Sequence, residues 1–176
     1  MCSSDLAFGV AHLAACPPGL VVVVDADCAL SPGSLERAAR ACHALQRPVQ
    51  MLNLMQAPEG SGLCVRVLEF AMRMKNLVRP LGTRRLGDVC HLTGTGMALP
   101  WALLHDAPLA TGHLAEDMKL GLALAARGHP TRLLPEATLV SAFVRDRATA
   151  RGQKSRWEHG SLDTLRERSE EHTSEL

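Results

Sequence analysis

The 176-residue chain contains no tyrosine, and three phenylalanines with two tryptophans are all its aromatic residues. That scarcity makes each tryptophan conspicuous. Charge of one sign is equally lacking, with 19 Lys+Arg against 18 Asp+Glu and a net charge of +1, and no basic stripe crosses the first 140 residues. A nucleic acid finds no electrostatic footprint on such a chain. No fully apolar run exceeds five residues, the length of 20–24, whereas a membrane helix requires roughly 20. As written, the chain crosses no bilayer. Six cysteines, at 2, 16, 28, 42, 64 and 90, form no CxxC pair, so they read as reduced core thiols and not as a metal or disulfide framework. Repeats and low-complexity blocks are absent too. What the chain does have is apolar mass, 47% of its residues. This excludes a disordered or collagen-like chain and suits one compact domain.

The apolar residues recur in two alternating patterns. Residues 7–15 have helical spacing and stop at Pro17-Pro18-Gly19, after which the valine run 20–24 reads as a strand covered on both faces and central in its sheet. Ser31-Pro32 resembles a helix start, and Leu35, Ala38, Ala39, Cys42 and Leu45 form one stripe ending near Pro48. A strand is expected over 49–55. A long helix is expected over 63–78, with Leu63, Val67, Ala71, Met74 and Val78 as its core stripe and Pro80 closing it. Beyond a looser stretch come the turn Thr93-Gly94-Thr95-Gly96, a strand over 97–99, a helix from Pro100, a helix over 116–127 ended by Gly128, and a short strand over 131–134 stopped by Pro135. The alternation predicts an α/β domain.

Three short motifs carry chemistry. Asp25-Ala26-Asp27 follows the valine strand directly, at the sheet edge where open α/β folds bind ligands. Two carboxylates so close suit a hard cation such as Mg²⁺, although acids after a buried strand are also ordinary turn residues. Glu116-Asp117 opens a helix, where acids complement the dipole and where a rigidly held carboxylate can also accept a proton from an attacking hydroxyl. Gln153, Arg156 and Trp157 form a QxxRW sequence within the basic stretch 145–157. The indole can stack on a sugar and the guanidinium can pair with a diphosphate.

In this order the motifs resemble the inverting family 2 glycosyltransferases, in particular the membrane-associated branch related to cellulose, chitin and hyaluronan synthases. VVVVDADCALSP, LTGTGMALP, HLAEDMKLGLALAARGHPTRLLPEA and RGQKSRWEHG each resemble a segment of that family, over about residues 7–160. The resemblance implies a three-layer GT-A-like α/β domain, incomplete and without its N-terminal nucleotide-binding strand. By position it implies that Asp25 and Asp27 hold a divalent cation, Mg²⁺ or Mn²⁺, with the donor diphosphate, Asp27 being the more direct metal ligand. Asp117 corresponds to the general base. Glu116, the glycine loop Gly94, Thr95 and Gly96, and Gln153, Arg156 and Trp157 correspond to substrate-binding positions. The implied partners are a nucleotide-diphosphate sugar, a UDP-sugar by preference, and a glycan or lipid-linked acceptor. The implied parent protein sits at the inner or plasma membrane, anchored by segments not in this chain, with its catalytic domain cytoplasmic.

The two ends read differently. Residues 1–6 and 168–176 resemble translated sequencing-adapter strands, so 7–167 is expected to be a partial catalytic domain and both end segments to pack against nothing. Two other functions compete with the transferase. A haloacid-dehalogenase-type phosphatase also places DxD after an apolar strand, but it wants Thr or Val where Ala29 stands, and a later GDxxxD where Gly87-Asp88 ends in Leu92. A non-catalytic remnant without activity of its own is the third reading, and it is the expectation for the isolated 176-residue chain even where its parent is an enzyme.

Overall fold

In the computed structural model, which describes residues 3–105, 107 and 116–143, the valine run becomes strand β1 (Leu20–Val23). Its side chains sort by alternation. Val21 and Val23 face one core cluster, and Leu20 and Val22 face another. Around it follow α1 (Ser3–Leu13), β2 (Cys28–Leu30), α2 (Ser34–Leu45), β3 (Val49–Gln56), α3 (Leu63–Arg73), a π-helical turn (Met74–Val78), α4 (Arg79–Gly87), β4 (Met97–Pro100), α5 (Trp101–His105), α6 (Glu116–Ala126) and β5 (Arg132–Ala142). The expected α/β architecture is what the chain forms. Among the described residues no helix is long and apolar enough to cross a membrane.

The strands form one five-stranded sheet in the order β1-β4-β3-β5-β2. β4 runs antiparallel to both β1 and β3, so those two are parallel to each other, and β5 is parallel to β3. The carboxyl ends of β1, β3 and β5 therefore share one end of the sheet with the amino end of β4. One face carries Val10 of α1, Leu103 and Leu104 of α5, and Leu120 and Leu124 of α6 against Met97 and Leu99. The other carries Ala38 and Cys42 of α2 against Val49, Met51, Ala98 and Leu139. Helices, sheet and helix make three layers.

Several expectations are corrected. Among the described residues β1 lies at the sheet edge and not at its centre, because an apolar run reports that both faces are covered and says nothing of neighbours on both sides. β5 runs through Pro135: the pairing jumps from Met51↔Leu134 to Leu52↔Thr138, so the proline sits in a bulge where no ladder N–H is needed. α2 starts at Ser34 behind Gly33 at φ 72°, and of its expected stripe only Ala38 and Cys42 are buried while Leu35 and Leu45 are exposed. Pro80 does not close the long helix. The π-helical turn before it widens the backbone, and helical geometry continues with Pro80 in the first turn of α4. The stripe of 63–78 is not core, since Leu63, Val67, Met74 and Val78 are all exposed and α3 buries no residue. At the amino end, Leu6 packs against the first core cluster, contrary to the expectation that residues 1–6 touch nothing. Residues 168–176 lie outside the described residues.

Candidate functional site

Asp25 and Asp27 emerge from the carboxyl end of β1 in a tight turn, which the Cys28 N–H closes onto the Asp25 carbonyl at 3.1 Å. The turn gathers ligand atoms. A carboxylate oxygen of Asp25, one of Asp27 and the Cys28 sulfur all lie within 4.8 Å of one another. Partial burial raises the Cys28 thiol above its ordinary pKa; a hydrogen bond with Thr95 opposes this, and the charges of Asp27 and Asp25 reinforce it. The two carboxylates of this cluster are the oxygen donors that a hard divalent cation such as Mg²⁺ or Mn²⁺ would use.

The glycine loop ties this turn to the sheet. Thr95, buried, accepts the Asp25 backbone N–H on its hydroxyl at 2.9 Å. Gln50 of β3, also buried, donates from Nε2 to the Thr95 carbonyl at 2.8 Å and accepts the Thr93 N–H on Oε1 at 3.0 Å. Buried amide groups without such partners are costly, so this satisfied set holds the loop in one conformation. Gly96 has φ 67°, and a Cβ there would stand 2.1 Å from Leu139 Cδ2 and 3.2 Å from Met51 Cβ. Its missing side chain makes room for the core side chains of Leu139 and Met51.

Gly94 faces the single acid instead. It has φ 81°, and a Cβ on it would reach to 3.4 Å from the Asp117 carboxylate Oδ2. Asp117 stands in the first turn of α6, its Oδ1 accepting the Met118 N–H at 2.8 Å. Burial raises its pKa above the usual carboxylate range, while the hydrogen bonds from the Met118 and Asp117 amides and the charge of Lys75 pull it down. One loop thus neighbours both acidic groups: Thr95 bonds the backbone of the Asp25-Asp27 turn, and Gly94 stands beside Asp117 with no side chain between them. This is the end of the sheet that the strand order predicts for ligands.

Lys75 and His91 feel the charge of Asp117 from other parts of the chain. Lys75 of the π-helical turn is lowered by partial burial and by Arg79, with Asp117 opposing. His91 is lowered by partial burial, then by Arg79 and Lys75, again with Asp117 opposing. Sequence reading missed Gln50, Lys75, Arg79 and His91. Lys75 and Arg79 belong to no motif, and only Gln50 left a trace, as a polar residue within an apolar strand. Of the remaining candidates, Glu116 opens α6 with its side chain outside the described atoms, and Gln153, Arg156 and Trp157 lie outside the described residues.

Cysteines divide by location. Burial pushes the Cys42 thiol up to about 11 and Cys90 up to about 12, as core thiols require. Cys16 and Cys64 are exposed, a correction to their reading as core. Asp88, the late acid of the phosphatase reading, is held by Arg47, Arg84 and Arg132. Arg47 precedes β3 and Arg132 begins β5, so Asp88 sits at the amino ends of these strands, away from Asp25 and Asp27. No curated protein matches the chain significantly. A sequence profile of the family described as glycosyltransferase like family 2 matches residues 6–160.

Proposed function

The chain belongs to glycosyltransferase like family 2, and from that premise we propose that it moves a sugar from a nucleotide-diphosphate donor, a UDP-sugar, to a glycan or lipid-linked acceptor hydroxyl with inversion at the anomeric carbon. The sheet with helices on both faces is that of a GT-A-like α/β domain. What carries the reading is the loop 93–96, whose Thr95 hydroxyl accepts the backbone N–H of Asp25 on one side and whose Gly94 stands beside Asp117 on the other, so near that a Cβ added to it would lie 3.4 Å from the carboxylate. An inverting transfer needs those two charge centres, one at the leaving diphosphate and one at the attacking hydroxyl on the opposite face of the sugar.

Asp25 and Asp27 are the residues that would hold the cation, with Asp27, the more exposed of the two, facing the donor. A bound Mg²⁺ or Mn²⁺ supplies charge neutralisation of the diphosphate. Asp117 accepts the acceptor hydroxyl's proton, and the raised pKa makes it a stronger base than a solvated carboxylate. Glu116 and Gln153, Arg156 and Trp157 are assigned to the donor and acceptor sugars by family position, and the QxxRW box supports the membrane-associated branch. The phosphatase alternative is disfavoured by the arginine-held, remote Asp88.

The test is product release. Incubated with a UDP-sugar, acceptor glycan and Mn²⁺, the full-length parent releases UDP, and Asp117→Asn lowers that rate by about 10²–10⁴, the range for a lost general base. Inorganic phosphate released from a generic monoester, without UDP release, overturns the reading.

A further inference from the structure

We propose that Gln50 of β3 is a positioning residue for the site, setting the geometry of the Asp25-Asp27 turn through the loop 93–96. What the turn binds is taken from the transferase reading, whereas how the turn is held rests on hydrogen bonds alone. The loop has little to hold itself with. Gly94 and Gly96 stand at φ 81° and 67°, and glycine has the most backbone freedom to lose. The internal bond from the Thr93 hydroxyl to the Thr95 carbonyl is long, at 3.4 Å. Its rigidity has to come from outside. Gln50 is 2% exposed, and its backbone is fixed on both sides, opposite Met97 of β4 and Leu133 of β5. From that base its Oε1 accepts the Thr93 N–H at 3.0 Å, and its Nε2 donates toward the carbonyls of Thr95 at 2.8 Å, Met51 at 3.0 Å and Gly96 at 3.3 Å. The Met51 N–H adds a backbone bond to the Gly96 carbonyl at 2.8 Å, which secures only the strand end of the loop.

From the loop the constraint passes to the turn. Thr95 offers one hydroxyl to both of its ends: the oxygen accepts the Asp25 N–H at 2.9 Å, and the hydroxyl donates toward the Cys28 sulfur at 3.6 Å. Asp27 lies between these two fixed points, so where its carboxylate stands relative to that of Asp25 follows the position of Thr95. Gly94 lies between Thr93 and Thr95, the residues that the Gln50 amide bonds, so its place beside Asp117 is set by the same side chain. An amide suits this task because it accepts at one atom and donates at the other. An ionised carboxylate has no donor for the carbonyls, and an aliphatic side chain has neither group. Either replacement leaves buried loop groups without partners, which is costly.

The experiment compares the full chain as wild type, Gln50→Leu, Gln50→Glu and Val10→Ala, at a temperature below every melt. Two quantities are read: amide hydrogen exchange by nuclear magnetic resonance, and Mn²⁺ binding in the presence of UDP by electron paramagnetic resonance. In Gln50→Leu the Asp25 amide, which Gln50 reaches only through Thr95, should exchange faster by about tenfold or more relative to the strand amides of β5 in the same sample, and Mn²⁺ should bind about tenfold more weakly. Gln50→Glu keeps the shape of the side chain, should show both losses, and carries the test where Gln50→Leu does not fold. Val10→Ala, a core truncation in α1, should lower the melt and leave both readouts within about twofold. The proposal is overturned if the Gln50 variants leave the Asp25 amide as protected as in wild type, if Val10→Ala loosens it as much, or if the amide loosens while Mn²⁺ affinity is unchanged. A wild-type chain that binds no Mn²⁺ contradicts the transferase reading instead, and the exchange at Asp25 then decides the role of Gln50 by itself.

Discussion

At the scale of the residue, Asp117 combines two properties that oppose each other. It is an acid held where burial disfavours its charge, so its ionised form is costly to the fold while being the form a base must have. A carboxyl whose folded pKa lies above its unfolded one destabilises the fold above the folded value, and the cost is relieved as pH falls to the ordinary carboxylate range, about 4. Asp117→Asn is therefore expected to raise the melting temperature at pH 7 and to leave it unchanged near pH 3.5, while it abolishes most turnover. A variant less stable than wild type at pH 7 would show that the ionised carboxylate stabilises the fold. In the wild type the acid limb of the turnover profile should lie above the ordinary carboxylate range, for the same reason.

At the scale of the element, the loop 93–96 positions the site because its glycines serve different ends. Gly96 faces Leu139 and Met51, and Gly94 faces Asp117. Gly96→Ala places a methyl group against Leu139 at a φ that L-residues rarely adopt, and it should destabilise by roughly 2–4 kcal/mol, read from denaturant melts. A loss below about 0.5 kcal/mol would show that the loop is not locked by this packing. The sequence already showed this loop, since two glycines one residue apart before an apolar strand signal a turn. It also showed the strand-turn at Asp25, α6 with its Gly128 stop, and β3 almost to the residue. β2 was not legible: three residues among turn formers gain strand geometry only by pairing with 139–141 of β5. Nor was the path of β5 through Pro135, which depends on a bulge opposite Met51 and Leu52. Periodicity found the α3 stripe but assigned it to the core, because spacing reports that a helix has an apolar side and not which way that side faces.

At the scale of the whole molecule, the sheet fixes the order of events before any side chain is considered. With β1 and β3 parallel and β4 reversed between them, the turn after β1, the loop before β4 and the end of β3 must meet at one end of the sheet. The separate arginine cluster on Asp88 braces the other end, joining the approach to β3, the end of α4 and the start of β5. Acidic turn and basic brace are thus kept apart by the length of the strands. Asp27, exposed beside half-buried Asp25, is the more accessible of the paired carboxylates. The most direct measurement is Mn²⁺ binding in the presence of UDP, followed by electron paramagnetic resonance, for wild type, Asp27→Asn and Asp117→Asn. The account predicts that Asp27→Asn weakens Mn²⁺ binding by about tenfold or more, a loss of about 1.4 kcal/mol, while Asp117→Asn leaves it within about twofold. Unchanged Mn²⁺ binding in Asp27→Asn, or its loss in Asp117→Asn, would contradict the division of labour between the paired and the single carboxylates.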